Sequence, residues 1–190
     1  MKKAVILNGM HPGDAEVAAV QAMLVEVLEE ASWDVEGYVL HQMEVKPCLG
    51  CFRCWLETPG RGVLHDADDV AAAVARSDLV VYLSPVTFGG YSSHLKKVLD
   101  HMIFLVLPFF QTVDGETHHV PRYDNRANLL FLGVMDQSDP ESDAIFTALA
   151  ERVAINLSAP LWEADVIVEA EGDGPARETV RRVLADVEVS

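Results

Sequence analysis

Hydrophobic residues along this chain form two patterns, short unbroken runs and longer stretches in which they recur at every third or fourth position. The run from Leu79 to Leu83 is entirely apolar and contains β-branched and aromatic members, which is typical of a strand buried on both faces of a parallel sheet. Ser84-Pro85 and Gly89-Gly90 interrupt it, and helical spacing begins at Tyr91. The centre of the chain therefore predicts a strand, a glycine-bearing loop and a helix in succession.

The same patterns predict four more strands and four more helices. The strands are expected at Lys3 to Leu7, Asp34 to Leu40, Leu129 to Val134 and Ala164 to Glu169. The helices are expected at Val17 to Leu28, Asp66 to Arg76, Glu141 to Leu157 and Pro175 to Val187, with N-caps at Asp14, Asp66 and Asp139. Five strands alternating with five helices predict an α/β fold, a doubly wound five-stranded parallel sheet in three layers with strand order 2-1-3-4-5.

A polar stretch from Gln111 to Asn128 follows the central helix. Asp114-Gly115 within it is a turn signal, so a small hairpin or a lid is expected. The preceding segment, Met102 to Phe110, is more apolar than one helix face requires, and Pro108 is expected to end the helix. This apolar excess predicts a subunit interface in a homodimer or homotetramer. The nearby histidines, which have no acidic partner at a diagnostic spacing, are expected at the surface: His94, His101, His118 and His119.

The composition fits one domain over residues 1–190, with 50% hydrophobic and 7% aromatic residues. The chain has 30 acidic and 14 basic residues, a net charge of −16 that repels nucleic acid and anionic membranes. The first apolar run ends at Asn8-Gly9, too early for a targeting segment, and no run is long enough to cross a bilayer. We therefore expect a cytoplasmic protein that acts on a small molecule, without a nucleic-acid or membrane partner.

The segment Ser84 to Ser92, followed by Leu95-Lys96 and Leu99-Asp100, resembles the isoalloxazine-binding loop of the flavodoxin-like NAD(P)H-dependent FMN reductases, particularly their iron-sulfur flavoprotein branch. The alternative is an ordinary turn between a strand and a helix. The resemblance implies a flavodoxin-like fold, FMN as cofactor and NAD(P)H as co-substrate. It places the flavin ring beside Pro85, Val86, Thr87, Phe88, Gly89, Tyr91, Val134 and Met135. It places the FMN phosphate beside Met10, His11, Pro12, Asp14 and Ala15.

The first loop, from Asn8 to Glu16, departs from the pattern of that family, which holds the phosphate with serine, threonine, asparagine or arginine side chains. No serine or threonine occurs between Gly9 and Ala31, and no lysine or arginine between Lys3 and Lys46. Backbone amides at the start of a helix can still bind an anion, although Asp14 and Glu16 compete for the same potential. Two outcomes are open: the backbone alone holds the phosphate, or the site accepts a ligand without one.

Cys48, Cys51 and Cys54 form a C-x2-C-x2-C motif, a spacing that can wrap a soft metal. The motif resembles the cluster motif of iron-sulfur flavoproteins but lacks a fourth cysteine, which excludes a cluster held by four cysteines of one chain. Three alternatives follow in order: free thiols without metal, a three-thiolate metal site completed by another residue or a second chain, and a redox disulfide. Candidates to complete a metal site are His65, Asp66 and His41.

The resemblance implies an FMN-dependent NAD(P)H oxidoreductase that passes hydride through the flavin to a small acceptor such as a quinone or free flavin. The cofactor carries the chemistry, so no catalytic side chain is assigned. The alternative is a non-enzymatic flavodoxin-like binding or interaction protein with a degenerate phosphate loop.

Overall fold

A computed structural model describes residues 1–188, which form one sheet of five parallel strands, a separate two-stranded hairpin and helices on both faces of the sheet. The strands are β1 (Lys3–Asn8), β2 (Asp34–Val39), β3 (Leu79–Pro85), β4 (Val106–Val113), β5 (Glu116–Pro121), β6 (Asn128–Met135) and β7 (Trp162–Val168). The main sheet has the order β2-β1-β3-β6-β7. Without the hairpin strands this is 2-1-3-4-5, so the predicted flavodoxin-like fold is confirmed. The last two residues of the expected domain, 189 and 190, lie outside the described residues.

Six helices accompany these strands: α1 (Ala15–Glu30), α2 (Arg53–Leu56), α3 (Asp68–Arg76), α4 (Ser93–His101), α5 (Pro140–Asn156) and α6 (Asp173–Glu188). Alternate residues of each buried strand point to opposite faces of the sheet. Ile6 and Val81 pack with α1 and α6, whereas Leu7 and Tyr82 pack with α3, α4 and α5. The main sheet is therefore the middle one of the three predicted layers. None of the helices in residues 1–188 is both long and apolar enough to cross a membrane.

The segment after α4 differs from the sequence prediction. The helix ends at His101, a 3-10 turn covers Met102–Leu105, and Pro108 lies inside β4 rather than at a helix end. A proline is tolerated there because the β4–β5 pairing is irregular between Val106 and Phe110, where a ladder amide is not required. The hairpin expected after residue 111 is confirmed, but it begins five residues earlier.

Helix α3 begins at Asp68, two residues after its predicted cap. Asp66 does not cap the helix, because its carboxylate accepts a hydrogen bond from the amide of Lys46 at 2.9 Å. The other two caps are as predicted: Asp14 accepts from the amide of Val17, and Asp139 accepts from the amide of Glu141.

Candidate functional site

Two loops meet at the carboxyl edge of the main sheet, the first loop (residues 9–14) after β1 and the central loop (residues 86–92) after β3. The hydroxyl of Ser92 donates to the carbonyl of Gly9, and the amide of Ser92 donates to the hydroxyl of Ser84 at 2.9 Å. A Cβ on Gly9 would lie 2.7 Å from the Cβ of Leu95, so only glycine permits this approach. The junction lies where open α/β sheets bind ligands, at the carboxyl ends of adjacent strands.

The central loop carries a tight turn that presents a fully exposed aromatic ring. Thr87 and Gly90 exchange two backbone hydrogen bonds of 2.9 Å. Phe88 and Gly89 between them have φ angles of 49° and 74°, the left-handed conformation of a type I′ turn. That conformation is unfavourable for phenylalanine, and the side chain of Phe88 is 100% exposed. An exposed ring held in a strained backbone conformation is a feature of ligand-contacting loops.

The end of β6 forms a second wall beside the central loop. The amide of Val86 donates to the carbonyl of Val134 at 2.9 Å, which extends the β3–β6 pairing beyond the strands. Val134 is buried and Met135 is half-buried. The central loop and the end of β6 are therefore held together as one unit.

The side chain of Asn8 shapes the first loop. Its Oδ1 accepts from the amide of Met10 at 2.8 Å, and its Nδ2 donates to Gln21 at 2.6 Å. The Asp14 carboxylate accepts a hydrogen bond from the amide of Val17. The amides of Ala15 and Glu16 have no hydrogen-bond partner among the described residues. These two donors are available to an anion at the start of α1.

Four carboxylates gather on the α1 and α6 side of this edge. The pKa of Glu169 is raised, first by burial and then by the negative charges of Glu16, Asp136 and Asp14. Negative charges at the start of α1 and at the end of β6 therefore act on the carboxylate that follows β7. The negative potential expected from Asp14 and Glu16 is therefore reinforced from two further strands.

Three histidines, one of them in the first loop, come together at this edge. The ring centres of His11 and His94 are 5.6 Å apart, and those of His41 and His94 are 6.1 Å apart. Burial lowers the pKa of His94, with smaller contributions from Lys97, His11 and His41. His94 is half-buried rather than at the surface as predicted. Its grouping with His41 could not be read from residues 53 positions apart in the sequence.

The structure brings the residues assigned to the flavin site to one edge of the sheet, in three groups. The first loop and the start of α1 contain Met10, His11, Pro12, Asp14 and Ala15. The end of β3 and the central loop contain Pro85, Val86, Thr87, Phe88, Gly89 and Tyr91, and the end of β6 contains Val134 and Met135. The ring of Tyr91 packs inward against Phe131 and Phe146, and burial raises the pKa of its hydroxyl. The side chain of Tyr91 therefore packs against the hydrophobic core.

The three cysteines line a separate apolar cavity of about 290 Å³, whose wall also includes Leu64 and Phe104. All three are free thiols; Cys51 is exposed and Cys54 is buried. Burial raises the pKa of Cys54, and the neighbouring Cys48 and Cys51 add to this shift. Within residues 1–188, no group of three histidine, cysteine or acidic side chains is arranged around one metal ion.

The residues considered as a fourth ligand do not line this cavity. His65 pairs with Asp68 at 2.7 Å, and His41 belongs to the histidine group at the first loop. The histidine that does line the cavity is His101, which was predicted at the surface but is buried. Its Nε2 donates to the carbonyl of Lys46 at 2.8 Å. His101 lies three residues after Val98 on the inner face of α4, and this helical spacing is the sequence signal that could have predicted its burial.

His118 is also buried, contrary to the prediction, and it ties the hairpin to α5. Its Nδ1 lies 3.0 Å from Oδ1 of Asn156, and its Nε2 lies 3.1 Å from the carboxylate of Glu116. Glu116 also pairs with Arg152 of α5. Glu116 and His118 are two residues apart and so lie on one face of β5, which is the strand spacing that could have identified this pair.

The fold defines a flavodoxin-like protein, and its first and central loops meet at the edge where such sheets bind ligands. The chain belongs to the NADPH-dependent FMN reductase family, whose model matches residues 2–121. It is similar to an iron-sulfur flavoprotein of Methanocaldococcus jannaschii, with 26% identity over 98 residues, which are 52% of this chain and 50% of that protein. The matched region thus spans half the length of that relative. The predicted family is confirmed.

Two solved structures share the fold over nearly the whole chain. The NAD(P)H:quinone oxidoreductase from Methanothermobacter marburgensis has a TM-score of 0.69 at 15% identity, and the similarity covers 100% of this chain and 98% of that one. An FMN-dependent NADH-azoreductase from Bacillus anthracis, solved in complex with FMN, has a TM-score of 0.67 at 14% identity, covering 97% of this chain and 98% of that one. At this identity the similarity establishes the architecture.

Proposed function

We propose that this chain is an FMN-dependent NAD(P)H oxidoreductase that uses the crevice between the first and central loops. The observation that carries the proposal is the type I′ turn of the central loop, which presents the fully exposed ring of Phe88 beside the end of β6. Membership in the NADPH-dependent FMN reductase family supports the same assignment. A small acceptor such as a quinone or free flavin completes the proposed reaction.

The residues of the crevice offer an exposed ring and unpartnered amide donors that FMN could use. Residues 85–89, with Val134 and Met135, would flank the ring, and Phe88 would cover one of its faces. The unpartnered amides of Ala15 and Glu16 would bind the phosphate, while Met10, His11, Pro12 and Asp14 enclose it. When bound, FMN supplies the hydride chemistry between the nicotinamide and the acceptor.

The contribution of the chain is positioning. The hydrogen bond from Val86 to Val134 holds the central loop to the end of β6, and the contact between Ser92 and Gly9 fixes the distance between the two loops. Burial raises the pKa of the Tyr91 hydroxyl further above physiological pH, so Tyr91 stays a neutral phenol there. No side chain of the chain is assigned a proton-transfer step.

A second candidate is a non-enzymatic flavodoxin-like binding or interaction protein that has lost phosphate recognition. The four carboxylates Asp14, Glu16, Asp136 and Glu169 favour it, because like charges at close range oppose the binding of a phosphate. Flavin binding together with NAD(P)H oxidation distinguishes the two candidates.

We further propose a cytoplasmic, single-domain protein that forms a homodimer or larger homo-oligomer. Large apolar side chains remain exposed on the cysteine-containing segment (residues 48–56) and on the β4–β5 hairpin: Leu49, Phe52, Leu56, Phe109 and Phe110. Phe52 stacks on Trp55, Trp55 contacts His119, and His119 contacts Phe110, so one aromatic row joins both elements. An apolar surface of this kind favours association with a second copy.

The test is a flavin titration of the purified protein, followed by anaerobic addition of NADH or NADPH and then of a quinone. We expect a shift of the visible flavin bands on binding, bleaching by the nicotinamide and recovery of colour with the quinone. The variant Phe88→Ala should bind flavin more weakly, whereas Phe109→Ala, in the hairpin, should behave like the parent. Unchanged flavin bands at micromolar concentrations would contradict the enzyme assignment and leave the second candidate.

A further inference from the structure

Three histidines from three different elements converge beside the first loop; we call them the histidine cluster (His11, His41 and His94). His11 belongs to the first loop, His94 to the first turn of α4, and His41 to the 3-10 turn after β2. The Nδ1 atoms of His41 and His94 are buried and have no hydrogen-bond partner among residues 1–188. A buried donor or acceptor without a partner costs roughly 1–3 kcal/mol, so a ligand that satisfied it would be favoured.

The groups that act on His94 differ from those that act on Glu169 in the acidic group. The carboxylates of Asp14, Glu16 and Asp136 act on Glu169 from the start of α1 and the end of β6. The groups that act on His94 are Lys97 of its own helix, His11 of the first loop and His41 of the turn after β2. No carboxylate is among them. The crevice therefore has an acidic side and a side on which positive charge can be placed.

This arrangement suits an anion better than a metal ion. The described part of the chain has no group of three histidine, cysteine or acidic side chains that could hold one metal ion. Protonated imidazoles donate from both nitrogens, and such charge-assisted hydrogen bonds are the stronger kind. The first loop has none of the lysine, arginine, serine or threonine side chains that would otherwise neutralise a phosphate.

We propose that the histidine cluster binds a phosphate monoester, the terminal phosphate of FMN, and makes recognition of the phosphorylated flavin depend on protonation of its imidazoles. The inference rests on the proposed function, because the phosphate belongs to the flavin. The unpartnered amides of Ala15 and Glu16 would donate to the same group. The cluster thus supplies the charge that the backbone lacks.

The sign of the pH dependence follows from the surroundings of His94. Burial and the neighbouring cations keep its pKa below the usual value in the free protein. A bound phosphate favours the charged form and raises that pKa. The gain in affinity is fully present below the pKa of the free protein and is lost as the pH rises through the pKa of the complex. Riboflavin, which has no phosphate, should show no such dependence.

The experiment compares the dissociation constants of FMN and riboflavin, measured by quenching of flavin fluorescence between about pH 5.5 and about pH 8, in buffers with a chelator. The proteins are the parent, His94→Gln, His11→Gln and, as a matched control, His65→Gln, whose exposed side chain pairs with Asp68. The phosphate itself titrates near pH 6, and the variants share this contribution, so their difference from the parent isolates the imidazoles.

We expect the preference for FMN over riboflavin to fall about tenfold or more near pH 6 in His94→Gln, with a smaller fall in His11→Gln. Riboflavin affinity should be unchanged in both variants, and His65→Gln should match the parent. An unchanged preference in both variants would overturn the inference while leaving the proposed function intact. Failure of the parent to bind either flavin would overturn both.

A variant that also loses affinity for riboflavin has a disturbed crevice. A second measurement then tests whether the histidine cluster binds the phosphate. The pKa of His94 is followed by NMR in the parent protein, with its resonance assigned by comparison with His94→Gln. It should rise when FMN is added and stay constant with riboflavin. An equal pKa with both flavins would reject the cluster as the phosphate site.

Discussion

The hydroxyl of Ser92 donates a hydrogen bond to the carbonyl of Gly9, a residue 83 positions earlier in the chain. The same oxygen accepts from the amide of Leu95 at 3.2 Å, so Ser92 is also the N-cap of α4. Both contacts are buried. One side chain therefore joins the first loop to the helix that follows the central loop, and the floor of the crevice depends on it.

Replacing Ser92 by alanine should destabilise the protein by about 1–3 kcal/mol, because a helix cap and a buried hydrogen bond are lost together. The matched control is Ser93→Ala, an exposed change at the next position, which should stay within about 0.5 kcal/mol of the parent. Urea unfolding measures both. Equal losses in the two variants would show that the contact with Gly9 does not stabilise the fold.

Replacing Phe88 by glycine should separate stability from flavin binding. Glycine accepts the left-handed backbone conformation at position 88, so the free energy of unfolding should rise by about 1 kcal/mol. Flavin affinity should fall, because the exposed ring is lost. Thermal unfolding and a flavin titration measure the two effects, and Phe88→Ala controls for loss of the ring without relief of the backbone. Flavin affinity equal to that of the parent would place Phe88 outside the site.

The main sheet could be predicted from the sequence because its central strands, β1, β3 and β6, are short apolar runs punctuated by glycine, proline and asparagine. Each predicted strand lies within about two residues of its observed ends. The segment after α4 could not be predicted, because an apolar run such as Met102 to Phe110 suits a helix or a strand equally well. Only the pairing of β4 with β5 decides between them.

The backbone positions that form the candidate site could be predicted from the sequence, but the arrangement of charged side chains around it could not. The carboxyl ends of β1, β3 and β6 follow from strand order, so the three groups of flavin residues could be assigned. Contacts between distant residues, such as His41 with His94 or Glu16 with Glu169, depend on packing that no local pattern encodes.

Acid should weaken the link between the hairpin and α5. Hydrogen bonds from Arg152 and then from His118 lower the pKa of Glu116 below its usual value. A carboxylate with a depressed pKa contributes stability above its unfolded pKa and loses it as the pH falls through the folded pKa. Between about pH 6 and about pH 3 the unfolding temperature should therefore fall less steeply in Glu116→Gln than in the parent. Glu44→Gln, at an exposed position, should keep the slope of the parent.

The exposed aromatic row should hold two copies of the chain together. Phe52 and Phe110, at its two ends, are 50% and 67% exposed. Changing both to serine should convert the oligomer to a monomer, because the apolar area that association would bury is removed. Sedimentation at several concentrations measures the mass, and Ile145→Ser, another exposed apolar position, is the control. A parent protein that is already monomeric would contradict the proposed oligomer.

The three thiols should react with a maleimide reagent at different rates. Cys51 is exposed, whereas burial raises the pKa of Cys54 and so lowers its thiolate fraction. Mass spectrometry of the reduced protein should show fast labelling at Cys51 and labelling of Cys54 only on a much longer timescale. Cys51→Ser should lose the fast phase, and unfolding in urea should bring Cys54 to the rate of an ordinary thiol. Fast labelling at Cys54 in the native protein would contradict the burial of this thiol.

The hydrogen bond from the amide of Val86 to the carbonyl of Val134 has a consequence for ligand exchange. It fastens both walls beside the proposed ring position to the most deeply buried strands of the sheet, where opening would cost nearly as much as global unfolding. Exchange of a ligand is therefore expected to involve movement of the first loop. The side chain of Asn8 shapes that loop, so the exchange rate is expected to respond to position 8 more than to the wall residues.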